Sequence, residues 1–276
     1  MSRHASGALL RALKLGHILL AFVTVAVCGA LVTTGAQAQA AGPPPPVFQT
    51  IDARGVNVVT GQFQHSSVDL SIGPPQAGLA FGRTRFGSEW VHSFEGRIQC
   101  IAGCAVSIGD RTETFTPSGG AFTSDQAEGS TLSFNAATGI YTYTTSTGEE
   151  ALFSTAFPIG GLASITQLTM PNGQRTTFHY KSATVSGGGG QQHRLQSVTN
   201  NHGYQLHFEY AANGPTFVNN WQTLVRVTGI NNAVVYCNEL ADSCGLSGWP
   251  TVAYARSGIT ETVTDALGRV TRITYD

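Results

Sequence analysis

Four of the five cysteines form two close pairs, Cys100 with Cys104 and Cys237 with Cys244, and four histidines, His179, His193, His202 and His207, crowd into 29 residues. These are residue types that hold soft metal ions or close short covalent loops. A zinc site built from both cysteine pairs would have to join them across 132 intervening residues with no histidine near either in sequence. Closeness in sequence instead favours Cys100–Cys104 and Cys237–Cys244 disulfides, or free thiols, in an oxidising compartment. His179 and His207 stand six and four places past glycines, on the strand face opposite an apolar stripe, and His193 and His202 read as loop residues. All four are expected to be exposed, and no metal is expected.

Other candidate chemistry is sparse. The sequence contains no Gly-x-Ser-x-Gly, His-Glu-x-x-His or P-loop pattern. Glu149 and Glu150 are adjacent, so on a strand they point to opposite faces and cannot act on one bond; they read as a solvated strand start. The run Gly187 to Gly190 has no lysine after it and opens no helix, which makes it a hairpin loop and not a phosphate cradle. Trp90, Trp221 and Trp249 could form a sugar-stacking platform, although burial is the commoner fate of tryptophan. No catalytic residue, cofactor or metal ligand is assigned, and the chain is expected not to be an enzyme.

Positioning any of these groups falls to the elements around them. Residues 1–40 show a basic start, the apolar run from Ile18 to Val32 and Ala-x-Ala boxes ending at Ala38 or Ala40, the order of a secretory signal peptide; an uncut membrane anchor is the alternative. Residues 41–46 are a proline-rich spacer. Three of the fifteen basic residues, Arg3, Arg11 and Lys14, lie in the leader, so sixteen acidic side chains face twelve basic ones beyond it. That mild acidity, with no basic stripe, excludes nucleic acid as an expected partner. No later apolar run reaches spanning length. Secretion, or a periplasmic or cell-surface location, follows.

From Val47 onward no amphipathic helix is convincing. Glycine totals 33, and short alternating runs such as "GLAFGRTRF" and "GIYTYTTSTGEEALFS" are broken by glycine about every ten residues, an all-β pattern. Three segments align on Gly173, Gly203 and Gly268: "LTMPNGQRTTFHY", "VTNNHGYQLHFEY" and "VTDALGRVTRITY". Five residues after each glycine stand Phe178, Phe208 and Ile273, and seven after stand Tyr180, Tyr210 and Tyr275. A fourth, worn copy around Gly148 keeps Tyr143, Thr144 and Phe153 but carries Thr155 in the tyrosine slot. Each unit reads as a hairpin with glycine at positive φ and one greasy side, closed by a tyrosine whose hydroxyl needs a partner. Such hairpins must stack edge to edge to be stable.

The last unit, "TVTDALGRVTRITYD", resembles the YD repeat of the RHS family through Asp265, Gly268, Arg269, Tyr275 and Asp276. The other copies depart from it, with Gln174 and Tyr204 in place of the arginine and Lys181 and Ala211 in place of the terminal aspartate. The stretch from residue 52 to 98 also resembles the opening module of RHS chains. The resemblance implies an N-terminal β module at 47–138, followed at 139–276 by stacked YD-repeat hairpins forming a curved, open and incomplete β-shell sheet. RHS proteins, with the B and C components of Tc toxins and the teneurins, wind such repeats into hollow shells, and bacterial members often carry a toxic C-terminal domain. This sequence shows neither that payload nor the self-cutting core of the family. It is expected to be the front part of an interrupted RHS chain, or a small secreted module completed by a further YD-repeat chain or a cell-surface protein or glycan. A carbohydrate-binding or adhesin module, and a hydrolase of unknown substrate, are the competing functions.

Overall fold

Runs of β-branched and aromatic residues separated by turn glycines become strands through most of the described part of the chain, because they alternate at a period of two and side chains of these types pack well on a pleated sheet. A computed structural model describes Asp52, Val56 and residues 64–274, except 87–88, 120, 127–128 and 187–189. The expected signal peptide, the proline-rich spacer, most of the Gly187 to Gly190 loop, Tyr275 and Asp276 lie outside the described residues.

Strands β1 (Gln64–Ile72), β2 (Leu79–Phe86) and β3 (Glu89–His92) make a three-stranded antiparallel sheet. A second sheet of fifteen strands takes up β4 (Gly96–Cys100), β5 (Cys104–Ile108), β6 (Arg111–Ser118), β7 (Ala121–Ser124), β8 (Thr131–Asn135), β9 (Ile140–Thr144), β10 (Glu150–Ile159), β11 (Leu162–Thr169), β12 (Arg175–Val185), β13 (Gly190–Asn200) and β14 (Tyr204–Tyr210). It continues, after the five-residue helix α1 (Val218–Gln222), with β15 (Leu224–Asn231), β16 (Thr251–Ser257), β17 (Thr260–Thr264) and β18 (Val270–Thr274). The strand order runs from β18 back to β11 in sequence, then β4, β5, β6 and β7, while β8, β9 and β10 branch off β11. This is an all-β, antiparallel sheet that stays open and does not close into a barrel.

The hairpins around Gly148, Gly173, Gly203 and Gly268 share one turn. Each glycine has φ between 76° and 87° and donates its backbone N–H to the carbonyl three residues back, at 2.9 to 3.1 Å. A side chain there would be strained, which is why glycine holds the position. In all four the residue four before the glycine pairs with the residue two after it: Thr144 with Glu150, Thr169 with Arg175, Thr199 with Gln205, Thr264 with Val270. The tyrosines past Gly173 and Gly203 also act alike. Tyr180 donates its hydroxyl to the Ile165 carbonyl, and Tyr210 donates to the Leu195 carbonyl, each reaching fifteen residues back.

The greasy face of these hairpins builds the core. Phe178, Val198, Leu206, Phe208, Val227 and Val252 are buried in one cluster, and the three-stranded sheet and the link that follows it cover it: Phe81 on β2 sits 5.7 Å from Phe208 edge-on, and Phe94, between β3 and β4, sits 6.1 Å from Phe178. A bulge between His179 and Tyr180 shifts the β12–β13 register and changes which residues face inward along β13. Ile273, on the sheet's last described strand, is only half-buried.

Candidate functional site

Two buried arginines organise the polar interior, each clamped between a tyrosine and a tryptophan. Arg83, on β2, shares its strand face with Phe81 and so points into the core. Its guanidinium lies 4.3 Å from the ring centroids of both Trp90 and Tyr254. Nε donates to Asp69 and Nη1 donates to Glu261 at 2.6 Å. Asp69 also accepts the Tyr254 hydroxyl at 2.7 Å and the Ser67 hydroxyl at 2.6 Å. Residues from β1, β2, β3, β16 and β17 thus meet at one cation, which fastens the small sheet to the large one. Burial pulls the Arg83 pKa down, but the electrostatic pull of Tyr254 and Asp69 and the bonds to Glu261 and Asp69 outweigh it, and the net shift is upward.

Arg194, on β13, lies 4.4 Å from the Tyr210 ring centroid and 4.6 Å from that of Trp221, a side chain with no exposed surface. Its Nη1 donates to the carbonyls of Ala212 and Trp221 at 3.0 and 2.9 Å, its Nε donates to Gln196 at 3.0 Å, and its Nη2 donates to Asp242 at 2.8 Å. Asp242 is shared with Lys181, whose Nζ donates to the same oxygen at 2.6 Å. Here burial dominates and the arginine pKa is lowered, with Tyr210 and Asp242 only partly compensating. Burial first, then neighbouring acidic groups, raises the pKa of Tyr180 and Tyr254, and at Tyr210 burial, with Glu95, outweighs the Arg194 charge, so all three phenols are held neutral.

Each clamp borders a cavity. One of about 240 Å³ is lined by His92, Glu95, Tyr180, His193, Arg194 and Tyr210. The other, about 460 Å³, is lined by Arg83, Trp90, His92, Tyr254, Arg256 and Glu261. His193 Nδ1 is 2.8 Å from the Ser182 hydroxyl, and His179 Nε2 is 2.9 Å from that of Thr199. Among the described residues no carboxylate is hydrogen-bonded to either imidazole to orient it as a base, so these pairs read as cross-strand contacts.

The histidine expectation is corrected. His202 is exposed in its turn, but His193 lies within β13 at 4% exposure, His179 is half-buried, and His207 has no exposed surface. The second face of β12, β13 and β14 is not left to solvent, because the segment from 232 to 250 folds across it. Lys181 and Arg194 reach Asp242 in that segment, and Ser243 donates to Glu209 at 3.3 Å. Burial there lowers the pKa of His179 and pushes that of His207 down to about 4, with the Asp242 backbone and charge pulling the other way, and burial elsewhere, of His92 against Phe81 and Phe208 and of His193 against Phe157, lowers theirs.

The structure bonds Cys100 to Cys104, closing the β4–β5 hairpin, and Cys237 to Cys244 in the β15–β16 connection. Trp90 and Trp221 belong to separate clamps and Trp249 is half-buried, so no shared stacking platform forms among the three. Glu149 pairs with Arg111 at 3.5 Å. Sequence reasoning missed both arginines. The alternation that puts Arg83 on the face of Phe81 was a usable signal; Arg194 sits beyond a bulge that alternation cannot foresee.

No protein-family model matches the chain, and no curated protein matches it. Among solved structures, the crystal structure of TcdB2-TccC3-Cdc42 is similar over 76% of this chain and 15% of that chain, at 11% identity and a TM-score of 0.44. This chain therefore spans a small part of the length of that structure's matched chain.

Proposed function

We propose that the protein is a secreted, non-enzymatic YD-repeat protein whose sheet serves as a structural shell or interaction surface, in toxin delivery or contact with a cell surface. The observation that supports this is the single turn geometry used four times in one open sheet, with the same register at Gly148, Gly173, Gly203 and Gly268. A hairpin of this kind passes its outer strand to the next. β18 pairs only with β17 among the described residues, and Leu267 and Val270 beside its turn are exposed. The occupant suited to that edge is another hairpin of the same kind, supplied by a further YD-repeat chain.

The test is to append two more copies of residues 260–276 after Asp276 and follow urea unfolding. Added units should raise the midpoint, since nearest-neighbour interfaces stabilise a repeat array; an unchanged or lowered midpoint would sink the shell reading. Turnover of glycosidic, peptide or ester substrates that survives purification to homogeneity would overturn the non-enzymatic part.

One observation favours a carbohydrate-binding role: the 460 Å³ cavity has Trp90 and Tyr254 in its wall. Against it, Arg83 already covers one face of each ring. A glycan array with the intact protein and with Trp90→Ala decides between them, binding that depends on Trp90 being the outcome that favours sugar.

A further inference from the structure

Beneath the segment that covers β13 and β14 lies a group of buried polar atoms with nothing to bond. The hydroxyl of Ser197 and both amide atoms of Gln205 have no hydrogen-bond partner among the described residues, and neither ring nitrogen of His207 makes a well-formed one, the Asp242 backbone being near enough only to favour its protonated form. Ser197 and His207 are opposite one another in the β13–β14 ladder, and all three side chains are fully buried. Natural interiors rarely leave one such group unpaired, because the desolvation cost is not returned. A concentration of them around one imidazole points to something that imidazole is built to bind.

What faces His207 is sulfur. A ring nitrogen of His207 and the sulfurs of Cys237 and Cys244 lie within 4.8 Å of one another, a separation from which one ion can be reached by all three. Cys237 is buried and Cys244 is half-buried, so one side of the group opens toward solvent. Lys181 and Arg194 converge on Asp242, which sits in the loop between the two cysteines, and nearby cations favour thiolate over thiol.

We propose that His207, Cys237 and Cys244 form a divalent-metal site of the zinc class that opens when the Cys237–Cys244 disulfide is reduced. Two thiolates and a neutral imidazole are a donor set zinc accepts, with a fourth position for solvent. The two thiolates cancel the dipositive charge, leaving a neutral group where a bare ion would be costly. In the opening step the S–S bond breaks as two electrons and two protons arrive from two molecules of a monothiol, or one dithiol, which become a disulfide. The cation then displaces the two cysteine thiol protons to solvent. The disulfide and the metal are thus alternative staples for the same loop, selected by redox conditions. This inference is independent of the YD-repeat reading and stands or falls without it.

The test uses the full chain, reduced with a phosphine and desalted without oxygen, and Co²⁺ as a visible probe. One equivalent should produce a thiolate-to-cobalt charge-transfer band, and the oxidised chain should produce none. The band should vanish in Cys237→Ser, persist in the Cys100→Ser/Cys104→Ser double variant, and need at least about tenfold more metal in His207→Gln. In case the variants fail to fold, the wild type supplies a second readout: Zn²⁺ should slow alkylation of Cys237 and Cys244 and leave Cys100 and Cys104 unprotected. Absence of the band, a band dependent on Cys100 and Cys104, a band indifferent to His207 in a folded variant, or equal protection of all four thiols would each overturn the proposal.

Discussion

Arg83 and Arg194 look like one device used twice, a guanidinium between a tyrosine and a tryptophan, yet they are balanced differently. Arg83 meets two buried carboxylates, with the Asp69 side chain 6% and the Glu261 side chain 12% exposed. Arg194 meets one, on Asp242, whose side chain is 36% exposed and shared with Lys181; neutral carbonyls supply most of its acceptors. The first clamp is an ion cluster at a seam between sheets. The second is a cation bracing a helix and two loops through dipoles. Ring stacking alone does not set a buried charge's energy; the number and burial of its counter-charges do.

The comparison can be broken by removing each cation in turn. Arg83→Met should cost about 3–5 kcal/mol in urea unfolding, because it takes the guanidinium away from the Asp69 carboxylate, only 6% exposed, and from Glu261. Arg194→Met should cost about 1–3 kcal/mol, since it strands carbonyls and no buried acid. Equal losses would mean that the aromatic packing, which both variants disturb, outweighs the charges. A finer cut uses the phenols: Tyr254→Phe removes a bond to the Asp69 carboxylate and should cost about 2 kcal/mol, whereas Tyr210→Phe removes a bond to the neutral Leu195 carbonyl and should cost about 1 kcal/mol.

The last prediction concerns pH. Burial, aided at His92 by Arg97 and Arg83 against Glu95, holds His92, His179 and His193 below their ordinary 6.5. Since the unfolded chain then binds more protons than the folded one, stability is present above pH 6.5 and declines as pH falls below it. Unfolding midpoints measured at pH 7.5 and pH 5.5 should differ in that direction, and less so in Arg83→Met, where one of the charges opposing His92 protonation is gone.

Much of the fold could be read without coordinates. The glycine offsets located four turns, and period-two alternation placed Phe178, Phe208 and Tyr180 on a buried face, because turn chemistry and strand pleat are local properties of the chain. The histidines and arginines could not be read that way. Whether the second face of β14 sees water depends on where the 232–250 segment lies, and that segment is held by Asp242 and Ser243 bonding to strands tens of residues away.

The sequence by itself therefore determined strands and the turns that join them, and it favoured Cys100–Cys104 and Cys237–Cys244 without settling bond against free thiol, all of this set by neighbours within a few residues. Only the tertiary structure decided which polar side chains would be buried, which carboxylate each arginine would find, and that His207 would lie against a pair of sulfurs. Those outcomes depend on desolvation and charge between groups up to 185 residues apart, and no local pattern encodes the surface that will cover a given strand face.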